Sequence, residues 1–211
     1  MLGLDNTTMA GAEIQVVIFP VSYSDFTTAA PVLATGSQRA ALITTVSQQP
    51  GGLFDLEAWN GRNRTDGTDN RDQPSGGTFG NPFEPGYHAP GKPFAASTLP
   101  FAAMTPITTH FGVQIDSHVY EQASAGSTPE FRSNGPLMPG WRAVEGSGGG
   151  HLSNEAAYRV TEMRDYFGSP VRCGHIHTPE LDLPPTADRR NRIVEQYRQV
   201  LAAAIAAVPA Q

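Results

Sequence analysis

Residues 14–46, IQVVIFPVSYSDFTTAAPVLATGSQRAALITTV, decide the fold class. Ile14 to Val21 is a continuous apolar run rich in β-branched side chains, the pattern of a strand buried on both faces. Pro20 marks its end, because proline cannot donate to a ladder. Ser24 and Asp25 can cap a helix through Phe26, Ala30 and Leu33, although Pro31 within it costs a helix hydrogen bond. Ala40 to Val46 reads as a second buried strand. Strand, helix and strand in that order suggest a parallel crossover. The expectation is α/β, a mixed and mostly parallel sheet flanked by helices.

Downstream, residues 61–96 form a tract of Gly, Pro, Asn, Asp and Arg with no helical period, and residues 120–150 are a second irregular stretch ending in Gly146-Ser147-Gly148-Gly149-Gly150. Loops this long are uncommon in compact domains and often carry function. Between them, Thr98 to Met104 begins a helix and Val113 to Ile115 forms a strand. Leu152 to Phe167 is the clearest helix, with Ala156, Val160, Met163 and Phe167 at helical spacing and Ser153 as its cap. Gly168-Ser169-Pro170 stops it. Val171 to Thr178, VRCGHIHT, is the next strand, and Thr186 to Val208 is a long helix with Ile193, Tyr197, Val200, Ala204 and Val208 on one stripe. Neither irregular stretch separates two core-sized units, so residues 1–211 read as one domain.

The 211 residues carry a formal net charge of −6, and the arginines are scattered apart from Arg189, Arg190 and Arg192. That short cluster reads as a solvated helix face, and nothing else invites nucleic acid. The single cysteine, Cys173, precludes an intrachain disulfide and gives no sign of an oxidising compartment. No apolar segment is long enough to cross a bilayer, and the first twenty residues lack the pattern of a signal peptide. The expected location is cytoplasmic.

Three features could carry chemistry. His175 and His177 project from the same side of a strand, because side chains alternate with period two. Zinc would need a third protein ligand, and His151, His110 or Glu180 stand at spacings that give no support. The reading taken is no metal and no cofactor, with one histidine in the core and the other at the strand's exposed end. Glu57 precedes Trp59 and a polar run, Asp69-Asn70-Arg71-Asp72-Gln73-Pro74, which by itself reads as surface and turn. The 146–150 glycines match neither a dinucleotide fingerprint nor a nucleophile elbow, so they read as a flexible or tightly turning loop.

The order of these stretches carries a resemblance. VVIFPVSYSD resembles the second strand and following helix of the pyroglutamyl (pyrrolidone-carboxylate) peptidases, cysteine peptidases that remove an N-terminal pyroglutamate from peptides. GLFDLEAWNGRNRTDGTDNRDQP resembles the family stretch reading roughly LERVAIN, DARIPDN and GNQP. Thr98-Leu99-Pro100 resembles its TLP. LSNEAAYRVTEM resembles the nucleophile helix, S-x-x-A-G-T-x-x-C-N, and GHIHTPEL resembles GFIHVPYL.

By this resemblance Glu57 falls on the catalytic glutamate and His177 on the catalytic histidine. Arg64, Asp69 and Asn70 fall near the polar loop that supports the site. Thr161 occupies the cysteine position. An imidazole can activate a thiol and protonate a leaving amine, and a carboxylate can orient it; a threonine hydroxyl stays protonated near neutral pH. Cys173, on the strand leading to His177, reads as a buried structural thiol. The family's opening strand and Gly-Phe-x-Pro-Phe loop are not recognisable before Ile14, so either the chain is truncated or its pocket is built otherwise. The resemblance therefore implies a pyroglutamyl-peptidase-like protein without the standard thiol activity and with a peptide or small amide-like ligand. The alternative is an active amide or ester hydrolase using His177 and Glu57 with Thr161 or an activated water as nucleophile.

Overall fold

The computed structural model describes residues 5–29, 40–64, 67–74, 92–168, 170–182 and 184–208. Along the chain, the hairpin of β1 (Thr7–Met9) and β2 (Ala12–Ile14) is followed by α1 (Tyr23–Ala29), β3 (Leu42–Gln48), β4 (Phe54–Glu57) and β5 (Trp59–Gly61). Next come β6 (Phe94–Ala96), α2 (Phe101–Met104), β7 (Val113–Asp116), β8 (Val119–Gln122), β9 (Glu130–Arg132) and β10 (Arg142–Glu145). The chain continues through α3 (Leu152–Phe167), β11 (Arg172–Thr178) and α4 (Ala187–Ala206).

The central sheet has the order β3–β11–β4–β7. β11 runs parallel to β3 and antiparallel to β4, and β4 runs parallel to β7. The fold is thus the expected α/β class with a mixed, mostly parallel sheet. One sheet face is apolar: Phe54, Leu56 and Ile176 pack with Leu99 and Met104 and with Ile193, Tyr197, Val200, Leu201 and Ala204 of α4. The stripe read from the sequence is the face that α4 buries, apart from Val208, which lies beyond the helix. Thr186 starts that helix by accepting the Arg189 N–H at 3.3 Å. Across the sheet, α3 packs on β11, β3, β5 and β6.

Three expectations are corrected. Residues 15–20 form no strand, and Val17 and Ile18 are 56% and 65% exposed. A β-branched run still needs a ladder partner; here only Ile14 is paired, with Thr7, and the Val16 N–H goes to Asp5 Oδ1 at 3.0 Å. The proposed first crossover therefore has no opening strand, and the part of its helix at 30–39 lies outside the described residues. β3 forms as expected but at the sheet edge, only half-buried, in keeping with its Thr44, Thr45 and Ser47. Finally, the cap of α3 is His151 rather than Ser153.

Both irregular stretches contain ordered pieces. β5 pairs with β6, bringing together the two ends of the 61–96 tract, whose residues 65–66 and 75–91 lie outside the described set. β8, β9 and β10 form a separate antiparallel sheet out of what read as irregular sequence at 120–150. Short strands of three or four residues interrupted by Gly and Pro leave too little alternation to be recognised.

Candidate functional site

Cross-strand partners share a face, so the register assembles a polar field on the central sheet. His175 lies opposite Thr45 on one side and Glu57 on the other; His177 lies opposite Ser47 and Asp55. Beyond them Glu57 pairs with Asp116, and Asp55 with Gln114. The other face of the same strands carries Leu56 and Ile176 into the core. The alternation of β4 and β11 therefore sorts ionisable groups to one side and apolar groups to the other.

Glu57 and His177 are brought together: Glu57 Oε1 meets His177 Nδ1. Glu57 is wholly buried, and its second oxygen, Oε2, has no hydrogen-bond partner among the described residues. Burial raises the Glu57 pKa, the His177 contact opposes that rise, and Asp116 and Asp55 reinforce it. His177 is itself buried, contrary to the expectation of an exposed strand end. Its Nε2 makes no hydrogen bond among the described residues. A carboxylate at Nδ1 with Nε2 left over is the arrangement that orients an imidazole as an acid–base group.

His175 is a separate case. Its Nδ1 lies 2.7 Å from Thr45 Oγ1 and its Nε2 2.9 Å from Ser47 Oγ. Nε2 is also 3.9 Å from Glu57 Oε1, and the two imidazole rings cross at 80° with centroids 4.6 Å apart. Burial first, then the neighbouring His177, holds the His175 pKa well below the usual histidine value, so the ring is neutral near pH 7.

Thr161 does not join this group by hydrogen bonding. Its hydroxyl is fully buried, donates toward the carbonyls of Ala157 at 2.9 Å and Tyr158 at 3.0 Å, and accepts from Asn60 Nδ2 at 3.3 Å. This is back-bonding into its own helix. Cys173 shares the face of His175 and His177, but four residues of strand put it roughly 13 Å from His177. Its thiol donates toward the Val160 carbonyl at 3.8 Å and receives Arg164 Nη1 at 3.6 Å. Burial pushes the Cys173 pKa up to about 11 against the opposing pull of Arg164.

Arg64, Asp69 and Asn70 support neighbouring backbone and helices. Arg64 pairs with the buried Glu155 of α3 at 2.6 Å and lies 4.6 Å over the Tyr23 ring. Asp69 accepts the N–H groups of Tyr23, Arg71 and Gln73 at 2.8–3.0 Å, folding its loop onto the start of α1. The Asn70 N–H bonds the Val21 carbonyl at 3.1 Å.

Several contributors were missed in the sequence. A Cβ on Gly148 would fall against both Glu57 carboxylate oxygens, so the 146–150 loop closes against the site and a larger residue there would displace that carboxylate. Asn154 accepts the Gly61 N–H and donates to the Gly61 carbonyl, both at 2.8 Å, docking α3 on β5. Thr45 and Ser47 carried a period-two signal, but their link to His175 required the strand pairing. Among the described residues, Glu57, His175 and His177 also form a group whose ligand atoms lie within 4.8 Å of one another. His110, offered as a third ligand, instead meets Glu195 at 3.0 Å, and His151 approaches Tyr23 at 3.5 Å.

The fold is that of the pyrrolidone carboxyl peptidases. The enzyme from Pyrococcus furiosus superposes with a TM-score of 0.65 at 18% identity, covering 97% of this chain and 86% of that one. The enzyme from Thermococcus litoralis gives 0.63 at 14% identity, with 96% and 80% covered. In sequence, residues 113–182 match the family described as the PA0049 C-terminal domain, a span that includes Thr161, His175 and His177 but not Glu57. The uncharacterized protein PA0049 of Pseudomonas aeruginosa is 24% identical over 80% of this chain, which spans 44% of that relative's length.

Proposed function

We propose that this chain keeps the acid–base pair of a pyroglutamyl peptidase, Glu57 and His177, without the thiol reaction. The observation that carries this reading is the state of Thr161. It stands where the resemblance puts the nucleophile, yet its hydroxyl is buried and engaged with helix carbonyls and Asn60. Cys173 is no substitute, because its thiol is buried at a distance from His177 and its pKa is raised to about 11. Arg64, Asp69 and Asn70 hold the surrounding loop and helices in this proposal and take no part in bond making. A peptide or small amide-like molecule is the ligand class this inheritance favours.

A second reading is supported by His177 itself. With Glu57 at Nδ1 and no hydrogen bond at Nε2 among the described residues, His177 is disposed to activate a water molecule toward an amide or ester. Mass spectrometry of the intact protein, quenched during incubation with a pyroglutamyl-amide reporter and a panel of simple esters, tests the nucleophile. The expected spectrum contains only the unmodified mass. A stoichiometric acyl adduct mapped to Thr161 or Cys173 would overturn the proposal; turnover without an adduct would select the water mechanism.

A further inference from the structure

We propose that Glu57, His175 and His177 form a binding site for one divalent transition-metal ion, with zinc the best chemical match. This does not depend on the loss of thiol chemistry; it concerns the same Glu57 and His177, whose direct contact a bound ion would replace. The sequence offered two histidines on one strand face and no third ligand. The antiparallel pairing of β4 with β11 supplies it, because Glu57 is the direct cross-strand partner of His175.

The geometry is close to what zinc requires. Each of the three residues offers one ligand atom, and these atoms lie within 4.8 Å of one another. Tetrahedral zinc with bonds of about 2.0–2.2 Å to nitrogen and oxygen places its ligands roughly 3.4 Å apart. The His175 Nε2 to Glu57 Oε1 separation of 3.9 Å needs a contraction of about half an ångström. The His177 Nδ1 to Glu57 Oε1 contact must open, and the ion then takes the place of the proton between them. That proton leaves to solvent, as metal binding to imidazole and carboxylate ordinarily requires.

Two independent observations point to a cation. First, Glu57 is wholly buried, and its Oε2 has no hydrogen-bond partner among the described residues. A buried carboxylate so sparsely answered is costly, and an ion held on Oε1 offsets its charge. Second, His175 already has the outer contact that metal-bound histidines use. Thr45 Oγ1 lies 2.7 Å from Nδ1 and also approaches the Gly174 carbonyl at 3.5 Å. If the hydroxyl hydrogen is directed to that carbonyl, its oxygen accepts from Nδ1–H and leaves a lone pair on Nε2, the atom facing Glu57, from which the Ser47 hydroxyl at 2.9 Å must turn aside.

Two imidazoles and one carboxylate favour zinc over calcium or magnesium, which prefer all-oxygen shells. Three protein ligands also leave a fourth position for water or a ligand, the pattern of reactive rather than purely structural zinc sites. Asp116, opposite Glu57 in the next strand and 2.9 Å from His118, adds negative charge to the same face.

The test uses the full chain without a histidine tag, stripped with chelator and titrated with zinc against a competing indicator. Cobalt(II) serves as a spectroscopic probe. The site predicts one equivalent of tight binding, a rise in melting temperature on zinc addition, and the visible absorption of low-symmetry cobalt. Glu57→Gln, His175→Ala and His177→Ala should each weaken zinc binding at least tenfold. His118→Ala and His110→Ala should not. Glu57→Gln nearly preserves side-chain volume, and circular dichroism identifies any variant that fails to fold. Absence of stoichiometric binding, or binding unchanged in all three folded ligand variants, overturns the site. Neither result depends on hydrolysis of the pyroglutamyl reporter, so the two proposals fail separately.

Discussion

At the scale of single residues, the site is defined by which polar groups are answered and which are not. Thr161 has a carbonyl acceptor and an amide donor, whereas Glu57 retains an oxygen without a hydrogen-bond partner among the described residues. Glu57 and His177 could be found in the sequence because each sits in a short motif with recognisable neighbours. His175 could not be assigned, since its meaning depends on Thr45 and Ser47, some 130 positions away, and on the Glu57 register. A prediction at this scale concerns Cys173. With its pKa raised to about 11, it should be alkylated at pH 8 about two orders of magnitude more slowly in the native protein than in denaturant. The measurement is the iodoacetamide labelling rate by mass spectrometry. Native labelling at the rate of a free thiol would contradict the assignment of Cys173 as a buried structural residue.

At the scale of elements, strong helical periodicity was the most legible signal. α3 was recognised with its observed bounds, and α4 to within two residues at its end. The N-terminal run failed because apolar, β-branched composition reports a tendency to extend, not the presence of a neighbouring strand. The glycine loop was legible as a turn but not as a tight backbone contact. A Cβ on Gly146 would fall 2.3 Å from Asn154 Oδ1, 2.6 Å from the Gly61 nitrogen and 2.8 Å from the Trp59 carbonyl oxygen. Two of those atoms are backbone, so β5 or the loop must move. Gly146→Ala should destabilise the protein by about 1–3 kcal/mol, the usual range for overpacking a close contact. Urea unfolding measures it, and an unchanged midpoint and slope would refute the close approach of this loop to β5 and α3.

At the scale of the whole molecule, the chain shares its fold with pyrrolidone carboxyl peptidases at 14–18% identity. The two faces of its sheet meet different demands. One face must remain apolar to bury α4, while the other can exchange polar groups without disturbing that core. The proposed absence of a nucleophilic thiol from α3 therefore need not disturb Glu57 and His177 on β4 and β11. The central claim is that this inherited frame no longer performs the cysteine-peptidase reaction, and steady-state release of amine from a pyroglutamyl-amide reporter tests it most directly. The expected result is no release above buffer by the purified chain, with His177→Ala indistinguishable from it. Turnover by the native chain that disappears in a folded His177→Ala variant and passes through an acyl adduct on the protein would contradict the account.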